Sequence, residues 1–547
     1  MKIALAQVNP VIGDFAGNEE KIARQARAAR ERGCSLVVFP ELSVCGYPPR
    51  DLLERQDFLR ECEASLARLM GAIRGIGVVA GLPRPFPGPG KPAANAAVLF
   101  EDGKVLHRVR KRLLPTYDVF DEARYFTPGR TASVFEYKGL ALGITICEDA
   151  WNDPDLFAQQ LYDWDPIQVL ADAGARVLIN IAASPFHAGK ARFRHGLMSH
   201  LAKKHSMTAL YVNQVGGNDS LVFDGASSVH LPDGSLAARG AVFAEDLVVF
   251  DTETGTGTLA PEPETDEEMV YGALVTGTRD YVVKCGFSGA VVGLSGGIDS
   301  AITLCVAADA LGPQNVTALF MPSEFTSPDN FTDTRELAEN LGVAFHIVPI
   351  QPLYQAFAQE LSGLIQAPPG SVTFQNVQAR IRGVILMAFS NSTGALVLST
   401  GNKSELAVGY CTLYGDMNGG LAVISDVPKT MVYSLCRHLN RNSEVIPKNI
   451  LAKPPSAELA HDQKDSDDLP EYDVLDAILE AFVEDGKSLA EIEAMGHSRA
   501  VAAEVIRRVT GNEYKRRQAA PGLKITSKAF GEGRRLPIAQ RFRPGGV

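Results

Sequence analysis

The stretch VVGLSGGIDSAIT, residues 291–303, decides how the second half of the chain folds. An apolar, β-prone run ends at Leu294, a turn of small residues follows, and SAITLCVAADA (300–310) continues with helical character. Strand, Gly-rich loop and helix form the phosphate-holding unit of a doubly wound sheet. Gly296 and Gly297 let the backbone bend and approach a ligand closely. Ser295 and Ser300 add hydroxyls. Asp299 would repel a phosphate unless a cation lies between them, so loop and acid together point to phosphate with Mg2+. The spacing is not that of the common GxxxxGK[ST] loop. A closer imitation of that ending, DGKSLAE (485–491), has Ala481 at the first glycine position and no strand before it, so it reads as an ordinary turn.

Outward from the loop, the strands NVTALFMPS and AFHIVPI alternate with the helix TDTRELAENLG. That rhythm predicts a parallel, doubly wound sheet. Toward the N-terminus, TETGTGTLAPEPETDEE (252–268) is polar, rich in Gly, Pro and Thr, and without apolar periodicity. It predicts a domain at 1–252, a linker at 253–268 and a second domain at 269–547. The first domain alternates β-rich runs (KIALAQV, SLVVFPE, GVVAGLP, AAVLFE, ALGITICED, RVLINIAAS, ALYVNQVGG) with amphipathic segments. In NEEKIARQARAARERG, Ile22, Ala26 and Ala29 keep near-helical spacing and Gly33 ends the pattern. Many of the strands are apolar throughout, as when both sheet faces are covered. Both halves are therefore α/β. The acidic run AHDQKDSDDLPEYD (460–473) reads as a mobile surface loop.

Composition narrows the function. A chain of 547 residues exceeds one core, so two domains are expected. Apolar content of 46% and charged content of 21% describe a soluble globular protein. A net charge of −11 argues against broad binding to nucleic acid or anionic membranes. No run approaches the roughly 20 apolar residues of a membrane span, and the N-terminal apolar run is too short for a signal peptide. A cytoplasmic protein is expected. Eight cysteines without a CxxC pair or a Cys/His cluster predict neither a zinc site nor a disulfide framework.

The SGG-x-DS loop resembles that of the N-type ATP pyrophosphatases, which cleave ATP between its α- and β-phosphates and adenylate an acid. Four further stretches extend this to a resemblance to the NAD synthetase family over about 269–540: SVTFQNVQARIRGVILMAFSN (371–391), LVLSTGNKSELAVGYCTLYGDMNGG (396–420), DVPKTMVYSL with KPPSAEL, and SKAFGEGRRLPIAQRFRP. Phe374, Gln375 and Asn376 stand where that family commonly carries EEN. The resemblance implies ATP contacts from Gly293, Leu294, Ser295, Gly296, Gly297, Ile298, Asp299, Ser300, Arg380 and Thr400. It implies contacts to deamido-NAD+ (nicotinic acid adenine dinucleotide) from Asn376, Arg382, Glu405, Lys429 and Ser456, and Mg2+ on Asp299 and Glu405. Lys403, beside Thr400, is a further candidate for phosphate or adenine, and Gln378 shares the helix of the arginines.

In the first half, Glu41 ends the strand in SLVVFPELSVCGYPPRDLL, Lys111 lies in VRKRLLPTYDVFDEARYF, and Cys147 ends the strand in LGITICEDAWND. Active groups of α/β sheets gather at the carboxyl ends of strands. A carboxylate can take a thiol's proton, and a lysine ammonium can stabilise the oxyanion formed on an amide. Taken singly, the three read as a core thiol, a solvated strand end and a basic surface. Together their contexts resemble the nitrilase superfamily, in the glutaminase form fused to NAD synthetases, over about 1–250. That resemblance implies an αββα sandwich with Glu41 as general base, Lys111 as oxyanion stabiliser and Cys147 as nucleophile. It also implies Glu122 as a second acid supporting Lys111, and glutamine contacts from Tyr47, Tyr117, Glu122, Ser184 and Lys190. NQVGGNDSLVFDG (213–225) would line the pocket.

The two resemblances imply one enzyme that takes ammonia from L-glutamine and uses ATP to convert deamido-NAD+ to NAD+, AMP and pyrophosphate. They further imply an internal ammonia tunnel and a homo-oligomer whose synthetase domains form a dimer. Another glutamine-fuelled adenylating ligase would carry a Cys–His glutaminase, and an ATP-sensing regulator would show a broken triad or a lost loop acid; neither pattern is present. A stand-alone amidase joined to an unrelated nucleotide-binding domain would hydrolyse glutamine indifferently to ATP and deamido-NAD+.

Overall fold

Alternation along the strand Lys2–Gln7 sets the architecture of the first unit. Ile3 and Leu5 pack with Ile144, Ile179 and Leu210 of a second sheet. Ala4 and Ala6 point the other way, to Ile22, Ala26 and Ala29 of the helix Phe15–Glu31 and to Leu66 and Leu69 of the helix Gln56–Ala72. Period-2 side chains can serve two layers in this way only inside a sandwich. In the computed structural model, which describes residues 1–368, 370–461, 463–542 and 544–546, the chain divides after Asp266 into two units.

The first unit holds a seven-stranded and a six-stranded sheet face to face. In the first, Lys2–Gln7, Leu36–Val38 and Gly77–Pro85 run parallel. In the second, Leu140–Ile146, Val177–Ala182 and Thr208–Asn213 do so. The helices Pro166–Asp172 and Lys190–His205 cover the second sheet through Leu170, Leu197 and Leu201. This is the αββα sandwich. The Phe15–Glu31 helix starts three residues before the expected segment, capped by the Asp14 side chain accepting from Gly17 N, and Gly33 beyond its end is left-handed at φ 76°.

The expected linker is partly structured. Thr256–Gly257 adds an edge strand to Asp246–Asp251, and the helix Asp266–Lys284 begins inside the predicted linker. Composition marked the polarity of this stretch, but backbone pairing at a sheet edge needs no apolar side chains.

The second unit carries a five-stranded sheet, all parallel, in the order Ala344–Ile347, Val316–Phe320, Ala290–Gly293, Leu396–Ser399, Leu421–Ala422. Chain direction across the sheet reverses between Ala290–Gly293 and Leu396–Ser399. Ligands of doubly wound sheets bind at the carboxyl ends beside such a switch point. The 294–297 loop follows the first of these strands and Thr400 the second. Among the described residues, no helix is long and apolar enough to cross a membrane.

Candidate active sites

In the first unit, the backbone sets the thiol. Cys147 follows the strand Leu140–Ile146 with φ 44°, a left-handed conformation uncommon for a residue with a Cβ. Asp149 holds the turn: its carboxylate accepts from Ile146 N, Arg112 N and Leu113 N at 3.0, 2.8 and 2.9 Å. The same bonds draw the segment after Lys111 toward the thiol. Strained backbone that is over-determined by its surroundings is typical of a working residue.

Glu41, Lys111 and Glu122 form a buried chain of charge. Lys111 Nζ donates to Glu41 Oε1 at 2.8 Å and to Glu122 Oε1 at 2.7 Å, and both Glu41 and Lys111 side chains are fully buried. Asn95 Nδ2 donates to Glu41 Oε1 at 2.6 Å, and Ala183 N to Glu41 Oε2 at 3.0 Å. Tyr47 donates its hydroxyl to Glu122 Oε1 at 2.9 Å. Burial alone would lower the Lys111 pKa, but the Glu122 and Glu41 carboxylates outweigh it and keep the ammonium charged. Burial pushes Glu122 up to about 7, against the opposing pull of Lys111. Burial, then the Glu41 carboxylate, lifts the Cys147 thiol well above its ordinary range. Cys147 thus lies in the field of a buried carboxylate.

Sequence reading passed over Glu148, which follows Cys147 directly. Glu148 is buried, and its carboxylate accepts from both Tyr117 (3.0 Å to each oxygen) and Tyr162 (3.1 Å). Tyr117 thus reaches the site through this carboxylate. Lys190 stacks its ammonium over Trp151 at 5.5 Å and donates to Pro185 O at 2.9 Å. Ser184 is buried, adjacent to the Ala183 contact with Glu41, with its backbone N bonded to Asn213 Oδ1 at 2.9 Å. Asn213 and Asp224, within the expected 213–225 stretch, tie this strand end to the buried Arg194. Asn95 carried no sequence signal; it lies among alanines and other apolar residues on the strand Ala93–Glu101.

The second unit has a cavity of about 250 Å3 at the switch point. Gly293, Leu294, Ser295, Gly296, Gly297, Ile298, Asp299 and Ser300 all line it, with Thr400, Arg382, Glu405, Lys429 and Ser456. The loop is held from within: Ser295 N donates to Ser300 Oγ (3.2 Å), and Ser300 Oγ to Gly297 O (2.9 Å). Gly296 has φ 91°, and a Cβ there would meet the Asn330 side chain at 2.5 Å. Only glycine suits that position. The helix Ile298–Leu311 begins directly after it and aims its N-terminus at the cavity.

Asp299 and Glu405 converge on one cation. Lys429 Nζ pairs with Asp299 Oδ2 and lies 3.3 Å from Glu405 Oε1. Asn402 Nδ2 donates to Asp299 Oδ1 at 3.1 Å. Burial, opposed by Lys429 and assisted by Asp299 and Asp465, pushes Glu405 up to about 8. Two hard oxygen donors already gathered round a positive charge fit a divalent cation. Arg382 donates Nε to Met321 O at 3.0 Å, and burial lowers it to about 10.

Three expected contacts fall elsewhere. Arg380 is exposed and donates Nε to Leu413 O at 3.1 Å. The helix Val372–Thr393 turns about 100° per residue, so Arg380 and Arg382 diverge by about 200°. Ala379, Arg382, Gly383 and Leu386 make the cavity stripe, and Arg380 lies outside it. Asn376 is not among the lining residues and accepts from Thr412 Oγ1 at 2.7 Å. Lys403 is buried in a structural network, bonded to Glu484 Oε1 (2.8 Å) and Thr526 Oγ1 (2.5 Å), with Asp426 at 3.2 Å. Gln378 donates to Leu459 O at 3.0 Å and steadies the segment after Ser456. In the 485–491 turn, Ser488 and Glu491 form a capping box for the helix Leu489–Ala494, as expected of a plain helix start.

The acidic 460–473 run departs most from expectation. Asp465 within it is buried and lines the cavity. Asp465 N donates to Pro455 O at 3.0 Å, and Tyr472 donates its hydroxyl to Asp465 Oδ2 at 2.8 Å. A polar run does not reveal which of its carboxylates turns inward.

A family model described as carbon-nitrogen hydrolase matches residues 2–259, and one described as NAD synthase matches 270–519. A glutamine-dependent NAD(+) synthetase of Synechocystis sp. is 47% identical over 554 residues, covering 100% of this chain and 99% of that protein. One of Acinetobacter baylyi is 44% identical, covering 99% of each. The solved structure of glutamine-dependent NAD+ synthetase from Acinetobacter baumannii, in complex with ADP, is 41% identical with a TM-score of 0.77, covering 100% of this chain and 99% of that one. With full-length relatives at this identity and both family models in order along the chain, it belongs to the glutamine-dependent NAD(+) synthetase family.

Proposed function

We propose that the chain makes NAD+ from deamido-NAD+, with ATP as activator and the side-chain amide of L-glutamine as nitrogen source. The observation that carries this is the buried Glu41–Lys111–Glu122 network at Cys147, on one chain with the Asp299–Glu405 cavity.

In the first unit, Glu41 takes the Cys147 proton as sulfur attacks the amide carbon of glutamine. Lys111, held charged by two carboxylates, donates to the oxyanion. The proton passes from Glu41 to the departing nitrogen and ammonia leaves. Water, deprotonated by Glu41, then cleaves the thioester to glutamate. Glu148, oriented by Tyr117 and Tyr162, offers a buried negative charge for the α-ammonium of glutamine. Tyr47, Ser184 and Lys190 complete the pocket, with Glu122 anchoring Lys111.

In the second unit, the 294–300 loop and its helix start hold the pyrophosphate end of ATP, with Thr400, Arg382 and Ser456 around it. Asp299 and Glu405 would hold Mg2+, which would supply neutralising charge to the triphosphate. Lys429, released from those carboxylates, is free to reach phosphate. The deamido-NAD+ carboxylate attacks the α-phosphate and pyrophosphate leaves. Ammonia then displaces AMP. A carboxylate is a poor acyl donor until it is activated in this way.

The protein acts in the cytoplasm, the compartment that supplies ATP and keeps cysteines reduced. It works as a homo-oligomer associated through the synthetase unit. Arg380, Val384 and Met387 follow i, i+4, i+7 spacing on the side of Val372–Thr393 away from the cavity stripe, and Val384 is 68% exposed.

The test is a product assay. With glutamine, ATP and deamido-NAD+, the protein should yield NAD+, AMP, pyrophosphate and glutamate, and glutamine hydrolysis should rise when both nucleotides are present. Hydrolysis indifferent to the nucleotides, or no NAD+, would sink the reading.

A further inference from the structure

The strands Val215–Asn218 and Leu221–Asp224 form a two-stranded hairpin that belongs to neither large sheet of the first unit. Such a ribbon is at best marginally stable by itself, yet every residue of both strands is buried. Consecutive strand residues point to opposite faces, and the hairpin uses both. Phe223 meets the Tyr47 ring edge-on at 6.2 Å, and Asn218 Nδ2 donates to Tyr47 O at 2.8 Å. Asp224, on the other face, accepts from Arg194 Nη2 at 2.6 Å and from Asn213 Nδ2 at 3.3 Å. Asn213 Oδ1 in turn accepts from Ser184 N at 2.9 Å, and Val222 O accepts from Phe186 N at 2.6 Å.

Tyr47 lies in the loop after Leu36–Val38 of the first sheet, whereas Ser184 and Phe186 lie in the loop after Val177–Ala182 of the second. Both loops orient Glu41. Ala183 N, beside Ser184, donates to Glu41 Oε2. Tyr47 reaches Glu41 Oε1 through Glu122 and Lys111. Each oxygen of the carboxylate is thus tied to a loop of a different sheet, and the hairpin joins the two loops. The Arg194–Asp224 pair that anchors it is 3% and 0% exposed. Replacing a buried ion pair by apolar packing is often neutral for stability, so this pair points to a fixed geometry more than to a gain in energy.

We propose that this hairpin is the brace of the glutamine site, with Asn218 and Asp224 as positioning residues. They hold the Tyr47 and Ser184 loops in one register and so fix the Glu41 carboxylate. This rests on the reading of the first unit as a glutaminase. Both residues act through Glu41, not on the substrate.

In the full-length protein, Asn218→Ala removes the tie to Tyr47 and Asp224→Asn weakens the tie to Arg194. A displacement of about 1 Å in a reacting geometry can cost about 10²-fold in rate. Each variant should therefore lower kcat for glutamine hydrolysis by about 10- to 100-fold, with a much smaller change in KM. Alkylation of Cys147 by iodoacetamide, read on its peptide by mass spectrometry, should slow in both, because the same base draws the proton from the thiol. NAD+ formation from added ammonia should stay at the wild-type rate. A brace released at one end loses little when released at the other, so the double variant should be no slower than about the slower single one. Losses that multiply in the double variant would mean two separate supports and overturn the brace. So would wild-type kcat in either single variant, or a lowered kcat beside a wild-type alkylation rate. Where Asp224→Asn does not fold, Asp224→Asn with Arg194→Gln takes its place, since it leaves no unpaired buried charge and shortens the reach across the pair. A wild type that releases no glutamate from glutamine sinks the reading of the first unit, and the brace with it.

Discussion

Glu148 shares a peptide bond with the nucleophile and spends both carboxylate oxygens on two tyrosine hydroxyls. Burial raises its pKa, with Lys111, the tyrosines and Lys190 pulling it back. A negative charge kept there at such cost is useful only if a positive group arrives. Glu148→Gln should therefore lower kcat/KM for glutamine by about 10- to 100-fold, the worth of a hydrogen bond to a charged group. The loss should appear chiefly in KM, with ammonia-driven synthesis unchanged; an unaltered KM would remove Glu148 from substrate recognition. Motif context singled out Glu41, Lys111 and Cys147 in the sequence, and the structure joins Glu41 to Lys111 in a buried ion pair. Glu148 and Asp465 were not singled out, since a carboxylate's role depends on which way it turns. Nothing in CEDAW or AHDQKDSDDLPEYD fixes that before the tyrosines close round it.

At the scale of elements, strands and loops followed apolar runs and small-residue turns closely, while helix faces did not. The 371–391 segment was legible as a helix carrying two arginines, yet only Arg382 reaches the cavity, because a rotation of about 200° separates the pair. The opposite side is where the proposed self-association would form. Val384 and Met387 are apolar and exposed, on a helix packed to the sheet through its other face. A self-associating surface should bury such a strip, and a charge placed in it should be expelled. Val384→Glu should weaken self-association by at least about tenfold, roughly 1.4 kcal/mol, in sedimentation measurements. Glutamine hydrolysis without nucleotides should remain, because the first unit carries that chemistry. Unchanged association would move the interface to another face.

For the whole molecule, the chain divides after Asp266, inside the polar 252–268 stretch that the sequence reading took as the linker. The hydrolase unit exists because the synthetase reaction needs a free lone pair. Ammonium has none, and near neutral pH it is the dominant form in water. On the proposed reading, glutamine hydrolysis at Cys147 releases ammonia as the free base. Removing that source should expose the dependence directly. Cys147→Ala, supplied with ammonium chloride, ATP and deamido-NAD+, should make NAD+ at a rate that climbs with pH in proportion to the free-base fraction. The glutamine-driven wild type should vary far less over the same range, because its ammonia is made where water cannot protonate it at once. Steady-state NAD+ formation across a pH series, at fixed total ammonium and at saturating glutamine, reads both. Parallel profiles would mean that nitrogen reaches the acyl-adenylate through bulk solvent in both proteins. Abolished ammonia-driven synthesis in folded Cys147→Ala would mean that Cys147 serves more than the release of ammonia.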